Sequence, residues 1–359
     1  MAFFLYHRGV TTPPDGLLPE WAPQSGVLLT WPHDRTDWRD QLAEAEACFA
    51  RITAELTRRT TVLVVGRDPA HAEHVRRTIA AAGGDPRRVR AYTAPSNDTW
   101  ARDHGPLAVR RGGRLTLLDF RFNGWGGKYP AELDDRITRA LAAQGAFGAT
   151  PLEAVDLVLE GGSVETDGQG TVLTTRSCLL SPGRNPGLAQ KELEAALARW
   201  LGVRRVLWLE HGALEGDDTD GHVDTLARFC DAETIAFQAC ADPRDPQHAG
   251  LAELARELRA LRRPDGRPYA LVPLPLPAPV LDAEGGRLPA GYANFLITNG
   301  AVLVPGYNDA ADGRARAALA RCFADREVVT VDCRPLIREY GSLHCITMQL
   351  PAGVVPAEA

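Results

Sequence analysis

The sequence predicts an α/β fold assembled from repeated groups of short strands and amphipathic helices. Three observations predict it. Short apolar runs of strand type alternate with runs of helical period along the whole chain. Several strands come as close pairs around Gly-rich or Asn-Gly turns, so hairpins are mixed with strands that helices connect. The order of strand group, helix and further strand group returns about five times without an exact sequence repeat. A doubly wound parallel sheet accommodates part of this pattern. A closed ring of small mixed sheets with helices outside fits at least as well, because the hairpins are tight and helices do not follow every strand. No Pro-Ser-Gly linker divides the 359 residues, so residues 1–359 read as one domain, with about 1–20 as an N-terminal extension.

The elements follow in order. Residues 26–32 (GVLLTWP) read as a strand, and Asp37 as the N-cap of a helix over 38–58, where Leu42, Ala45, Phe49, Ile52 and Leu56 keep helical spacing. A strand at 61–65, a helix at 69–82 ending at Gly83-Gly84 and a strand at 89–92 come next. The segment NDTWARDHGP leads into strands at 107–110 and 115–121, a glycine-rich loop at 122–130 and a helix at about 131–145. Strands at 155–160, 163–167 and 171–175 precede a helix at 188–201 and a strand at 204–209. After the acidic loop 215–220 come paired strands at 222–229 and 234–240 and a helix at 247–262. A hairpin on Asn299-Gly300 joins 293–298 to 301–305, and a helix at 312–323, a strand at 327–331 and the stretch GSLHCITMQLP (341–351) complete the chain.

Composition excludes several classes. The formal net charge of -6, with basic and acidic residues interspersed, speaks against nucleic-acid binding and is compatible with a small cationic substrate. The seven cysteines, at 48, 178, 230, 240, 322, 333 and 345, are scattered and form no C-x-x-C pair. That pattern fits neither a disulfide framework nor a zinc ribbon and suggests a reducing, cytoplasmic setting. MAFFLYHRGV is too short and too soon interrupted by His7 and Arg8 for a secretory h-region, and no stretch approaches a membrane span. Oligomeric state is open, a homo-oligomer included.

Polar residues in five loops point to chemistry. Cys345 sits where the Gly341-Ser342 turn becomes the last strand, a setting that holds a thiol rigidly. Asp98 and Asp103 flank Trp100 in NDTWARDHGP; Asp98 reads as a turn or cap residue, Asp103 as a site candidate at a strand entrance. Glu160 ends an apolar strand before two glycines, where a carboxylate is partly desolvated. His222 and Asp224, two apart at the expected start of a strand, would face one side. As zinc ligands they would lack a third with suitable spacing. Several carboxylates around a thiol call for a cationic electrophile. A guanidinium qualifies, since it is planar and takes paired carboxylates. Cys345 would attack its carbon, His222 would protonate departing ammonia and then activate water, and Trp100 and Trp125 could wall the cation.

With these residues quoted, the chain resembles the agmatine deiminases of the guanidino-group-modifying superfamily, whose relatives include arginine deiminases and bacterial peptidyl-arginine deiminases. The resemblance covers nearly the whole chain and rests on WPH with DWR (31–39), NDTWARDHGP (97–106), FNGWGGKYP (122–130), LEGGSVETDGQGTVLTT (159–175), LLSPGRNP (179–186), DDTDGHVDTLARF (217–229), ANFLITN (293–299) and GSLHCITMQLP (341–351). It implies a five-bladed α/β propeller with the site on a pseudo-fivefold axis. It also implies Cys345 as nucleophile, His222 as acid/base, and Glu160 as the partner of the histidine. Asp103 and Asp224 would grip the guanidinium, and Asp218 would contact agmatine. The implied reaction is hydrolysis of agmatine to N-carbamoylputrescine and ammonia through a covalent thiouronium, with no metal or organic cofactor.

One departure bears on the substrate. Many agmatine deiminases carry a Gly-rich, Asn-containing segment where this chain has Gly341-Ser342-Leu343-His344, and the shorter form also occurs in proteins labelled peptidyl-arginine deiminases. Deimination of free, peptide-bound or methylated arginine therefore stands beside agmatine, with Arg35, Arg121 and Arg184 as candidate carboxylate partners. Amidino transfer and a non-catalytic binding propeller are the remaining alternatives.

Overall fold

The computed structural model describes residues 15–357. Residues 1–14 of the expected extension, MAFFLYHRGV among them, lie outside the described residues. Residues just beyond are built into the fold: Gly16–Leu17 pairs antiparallel with Leu107–Arg111.

The architecture is α/β, with five sheets of three or four strands. Four sheets share one plan. A hairpin is followed by a crossover, which returns the chain as a third strand parallel to the second. The hairpin of Leu107–Arg111 and Arg114–Arg121 is joined by Leu152–Val158. Glu165–Thr166 and Thr171–Thr175 are joined by Arg205–Leu209. Ala227–Phe229 and Thr234–Gln238 are joined by Ala270–Leu274. Leu296–Thr298 and Ala301–Gly306 turn on Asn299-Gly300, as expected, and are joined by Glu327–Asp332. In the fifth sheet the C-terminal strand Met348–Pro351 lies antiparallel to Gln24–Thr30, which pairs in parallel with Thr61–Gly66 and through it with Val89–Thr93. The C-terminal strand thus completes the sheet of Gln24–Thr30. The expected element order holds except for two strands the sequence does not predict, Gly16–Leu17 and Ala270–Leu274; the latter is an edge strand, where Pro273 is tolerated at the start of the proline-rich stretch.

Each crossover helix buries one stripe. Helix Leu42–Thr57 buries Ala45, Cys48, Phe49, Ile52 and Leu56, and helix Gln190–Leu201 buries Leu193, Leu197 and Leu201. Each fully buried large apolar side chain contributes about 1.5–3 kcal/mol. Boundaries differ from expectation where side chains redirect the backbone. Asp37 does not cap the first helix; it opens a 3-10 helix, Asp37–Gln41, and the α-helix begins at Leu42. The helix expected at 131–145 is shorter, a 3-10 turn Asp134–Arg136 leading into Ile137–Ala143. Among the described residues no helix is long and apolar enough to cross a membrane.

Candidate active site

The last strand positions the thiol. Met348–Pro351 is locked in the ladder with Gln24–Thr30, so residues 341–347 enter it as a fixed turn. The carbonyl of Cys345 accepts the N–H of Arg102 at 3.0 Å, which ties the turn to the short helix Ala101–His104 and so to Asp103. Gly341 packs on the Trp100 ring so closely that a Cβ would lie 2.0 Å from it, so only glycine fits. Asn294 completes the cradle. Its Oδ1 accepts the N–H of His344 at 2.9 Å, and its Nδ2 lies 3.2 Å from Cys345 Sγ.

Carboxylates and an imidazole converge on Gly162. A Cβ there would lie 2.6 Å from His222 Nδ1, 2.9 Å from Asp103 Oδ1 and 3.1 Å from Asp224 Oδ2. The bare glycine lets all three approach one point. Asp103 Oδ1 accepts the N–H of Gly162 at 3.1 Å and stands 3.6 Å from His222 Nδ1, while Oδ2 accepts the Trp125 indole N–H at 3.0 Å. Asp224 Oδ2 lies 2.7 Å from His344 Nδ1. At this convergence two buried side-chain atoms, His222 Nε2 and Asp224 Oδ1, make no hydrogen bond within the described residues. In a native structure, such orphans call for a ligand or an ordered water.

The expected site residues come together, with corrections to how. His222 and Asp224 do not open a strand: His222 precedes a 3-10 helix, Val223–Thr225, and the strand begins at Ala227. Side chains cause this. Asp217 Oδ2 accepts the N–H of Gly221, Thr219 Oγ1 accepts that of His222, and Thr225 Oγ1 returns a bond to the His222 carbonyl. Glu160 is not at a strand end: the strand stops at Val158, and Glu160 is fully buried before the turn Gly161–Ser163. Both its oxygens accept from Arg184 Nε, at 2.9 and 3.0 Å, so its hydrogen-bond partner is Arg184 rather than His222. The carboxylate does stand near the ring: ligand atoms of Glu160, Cys178 and His222 lie within 4.8 Å of one another. These three could hold a metal ion, but the Arg184 guanidinium already covers Glu160. Asp98 is neither turn nor cap. It accepts the indole N–H groups of Trp38 at 2.8 Å and Trp100 at 2.7 Å and so fixes the Trp100 wall.

Cys345, Asp103, Asp218, Trp100 and Trp125 line a cavity of about 640 Å³. Asp218 accepts from the Tyr129 hydroxyl at 3.0 Å. Asp37, Asp68, Asp98, Asp134, Asp217 and Glu339 add further carboxylates to the wall, against Arg35, Arg67 and His33. Arg184 is not on the cavity wall: its side chain is fully buried, and each of its three nitrogens is bonded within the protein, Nε to Glu160, the others to Asp220 at 2.6 Å and to the Thr219 carbonyl at 2.8 Å. Arg121 is not on the cavity wall and faces Asp135 and Asp156.

Burial governs the electrostatics. Burial, reinforced by Asp224 and Asp103, pushes the Cys345 thiol well above its ordinary pKa. Burial also pushes Asp103 up to about 6, although the adjacent His222 works against this. Burial opposes a charge on His222, but Asp103, the adjacent Cys178 and then Glu160 outweigh it and hold the imidazolium well above its usual range. Burial opposes Asp224 as well, yet contact with His344 keeps its carboxyl below the usual range. The resting site therefore holds a neutral thiol, a protonated His222 and a charged Asp224. A cation placed among these groups would relieve the carboxylates and favour the thiolate.

The sequence does not point to Asn294, His344, Glu20 or Cys178 as site residues, and it points to Arg184 only as a candidate carboxylate partner of the substrate. Asn294 carried a signal: it is a buried polar residue beside the apolar run of ANFLITN.

Fold and site together place the molecule among thiol-bearing α/β proteins with an acidic cavity, and comparison gives the family. The model of the Porphyromonas-type peptidyl-arginine deiminase family matches residues 16–351, and the chain belongs to that family. The agmatine deiminase of Stutzerimonas stutzeri is 35% identical over 359 residues, covering 94% of this chain and 95% of the relative. Among solved structures, a Porphyromonas gingivalis protein provisionally described as an arginine deiminase is 50% identical with a TM-score of 0.89, covering 96% of this chain and all of that one. A C. jejuni agmatine deiminase with substrate bound is 34% identical with a TM-score of 0.87, covering 98% of this chain and all of that one.

Proposed function

We propose that this chain hydrolyses the guanidino group of agmatine, giving N-carbamoylputrescine and ammonia. The observation that carries it is the acidic cavity ending at Cys345, from whose wall the fully buried Arg184, bonded to Glu160, Asp220 and the Thr219 carbonyl, is withdrawn as a partner for an α-carboxylate. The relatives described as agmatine deiminases match nearly all of the chain and support the same reading.

Asp103 and the free Oδ1 of Asp224 take the N–H groups of the guanidinium, and Trp100 and Trp125 flank the cation. Its charge offsets Asp103 and Asp224, and Cys345 Sγ gives up its proton and bonds to the guanidino carbon. The thiol's proton passes to the departing nitrogen and His222 adds its own, so one C–N bond breaks, ammonium leaves and His222 is left neutral. The thiouronium is hydrolysed when His222, now neutral, takes a proton from water. The oxygen bonds to carbon, the C–S bond breaks, and the thiol returns. Glu160, held by Arg184, supports the imidazolium charge from behind, and Asp218 lies on the wall for the distal ammonium.

In this reading residues 1–359 form one catalytic domain, its five sheets being the blades of an α/β propeller around a pseudo-fivefold axis. It needs no cofactor, and its seven free cysteines suit a reducing cytoplasm.

A second reading, deimination of arginine bearing its carboxylate or a peptide, is favoured by Arg35 on the cavity wall and by a volume ample for a ligand larger than agmatine. Steady-state rates with agmatine, free arginine and a peptide with C-terminal arginine decide between them. A kcat/KM higher for agmatine than for either other substrate is expected; a higher value for arginine or the peptide replaces the first reading with the second.

A further inference from the structure

Behind Asp224 lies a buried charge cluster that the proposed reaction does not use. His344, 1% exposed, sits at its centre. Its Nδ1 is 2.7 Å from Asp224 Oδ2 and its Nε2 is 2.7 Å from Glu20 Oε1. A neutral imidazole has one N–H and can donate to only one of these oxygens. Each contact at that distance requires a proton between ring and carboxylate.

The neighbouring groups leave that proton nowhere else to reside. Glu165 accepts from Arg228 Nε on one oxygen and from the Phe229 N–H at 3.1 Å on the other, so neither oxygen has an acceptor to receive a proton. Glu20 Oε2 accepts from Arg228 and from Gln349 at 2.9 Å, and Arg102 lies 3.0 Å from Oε1. Burial works against a charge on Glu20, but Arg228 and His344 hold its carboxyl well below the usual range, and Asp224 is held down likewise. Burial pushes Glu165 up to about 8 although Arg228 works against it, so the case for the proton rests on Glu20 and Asp224. Those two carboxylates, both held in the charged form, meet the ring from opposite sides at 2.7 Å, and a buried charge of that kind calls for a cation between them. Burial, Arg102 and Arg228 work against the proton on His344 and pull its pKa down; Glu20 and Asp224 work for it. The short distances at both nitrogens decide in favour of the proton.

We propose that His344 is a positioning residue, held as an imidazolium between Glu20 and Asp224, which keeps Asp224 charged with its free Oδ1 turned to the substrate cation. The substrate part of this rests on the function proposed above; the proton does not.

Neutron diffraction from crystals of the full chain near neutral pD reads the proton directly. Deuterons on both ring nitrogens of His344 are expected, and a deuteron on one only would overturn the proposal. The positioning role is read in Glu20→Gln, which keeps the shape and removes the charge, with agmatine kcat/KM followed against pH. Its alkaline limb should move about one unit lower, mainly through KM. A profile unchanged in shape would overturn the role. Should Glu20→Gln not fold, His344→Asn, which retains one N–H donor, should keep more kcat/KM than His344→Ala; equal losses would overturn it. A wild-type enzyme inert toward agmatine would instead count against the function, and the neutron result would still stand.

Discussion

Replacing Asp224 with Asn should move two measurements in opposite directions. Asp224 is 1% exposed; Oδ2 meets His344 at 2.7 Å and Oδ1 makes no hydrogen bond within the described residues. The substitution keeps the shape and removes one charge facing the bound guanidinium. Losing one partner of a buried ion pair costs about 3–5 kcal/mol, which at about 1.4 kcal/mol per decade is roughly two to four orders of magnitude in kcat/KM. The same charge helps hold the Cys345 thiol up, next after burial among the causes. Its removal should lower the thiol pKa by on the order of one unit, so the neutral reagent iodoacetamide should alkylate Cys345 about tenfold faster near neutral pH. Turnover followed by ammonia release, beside alkylation followed by mass spectrometry of the Cys345 peptide, gives both numbers. Slower alkylation in Asp224→Asn would refute the electrostatic reasoning, because a general loss of structure slows catalysis but does not leave the thiol less reactive through charge.

Other outcomes follow from the same geometry. Asp103, with its pKa pushed up to about 6 by burial, loses its charge as pH falls through that value, so KM for a cationic substrate should rise below about pH 6 while less change appears in kcat. Gly162→Ala brings a Cβ to 2.6 Å from His222 Nδ1 and should cost at least about a hundredfold in kcat/KM, with circular dichroism unchanged. Arg184→Ala leaves Glu160 buried without its partner, both side chains being fully enclosed, and should destabilise the fold by about 3–5 kcal/mol in urea titration. Arg184→Lys should recover little, since one ammonium cannot serve Glu160, Asp220 and the Thr219 carbonyl together.

What was legible in the sequence is what local periodicity encodes. The helix stripe of Phe49, Ile52 and Leu56 and the Asn299-Gly300 hairpin are short-range patterns, and the structure keeps them. The convergence of Cys345, His222, Glu160, Asp103 and Asp224 could be anticipated because each is a polar residue in a loop beside a strand or helix end. Local geometry could not. The turn at Val223–Thr225 replaces an expected strand because Asp217 and Thr219 bond to the backbone of Gly221 and His222 just before it, and period-two patterning does not register such bonds. Glu160 meets Arg184 from 24 residues away, and His344 meets Glu20 from 324 residues away, so neither pairing leaves a mark on neighbouring positions. His344 stands beside the expected nucleophile, yet its partners come from the turn at Glu20 and from the 222–224 turn, both remote in sequence.

The most direct measurement is rapid-quench mass spectrometry of the full chain mixed with agmatine, paired with Cys345→Ser. A transient adduct mapped to the Cys345 peptide, one ammonia lighter than agmatine and consumed on the timescale of turnover, is predicted, together with loss of both adduct and turnover in an otherwise folded Cys345→Ser. Turnover persisting in Cys345→Ser, or an adduct on another cysteine, would contradict the assignment of Cys345 as the nucleophile.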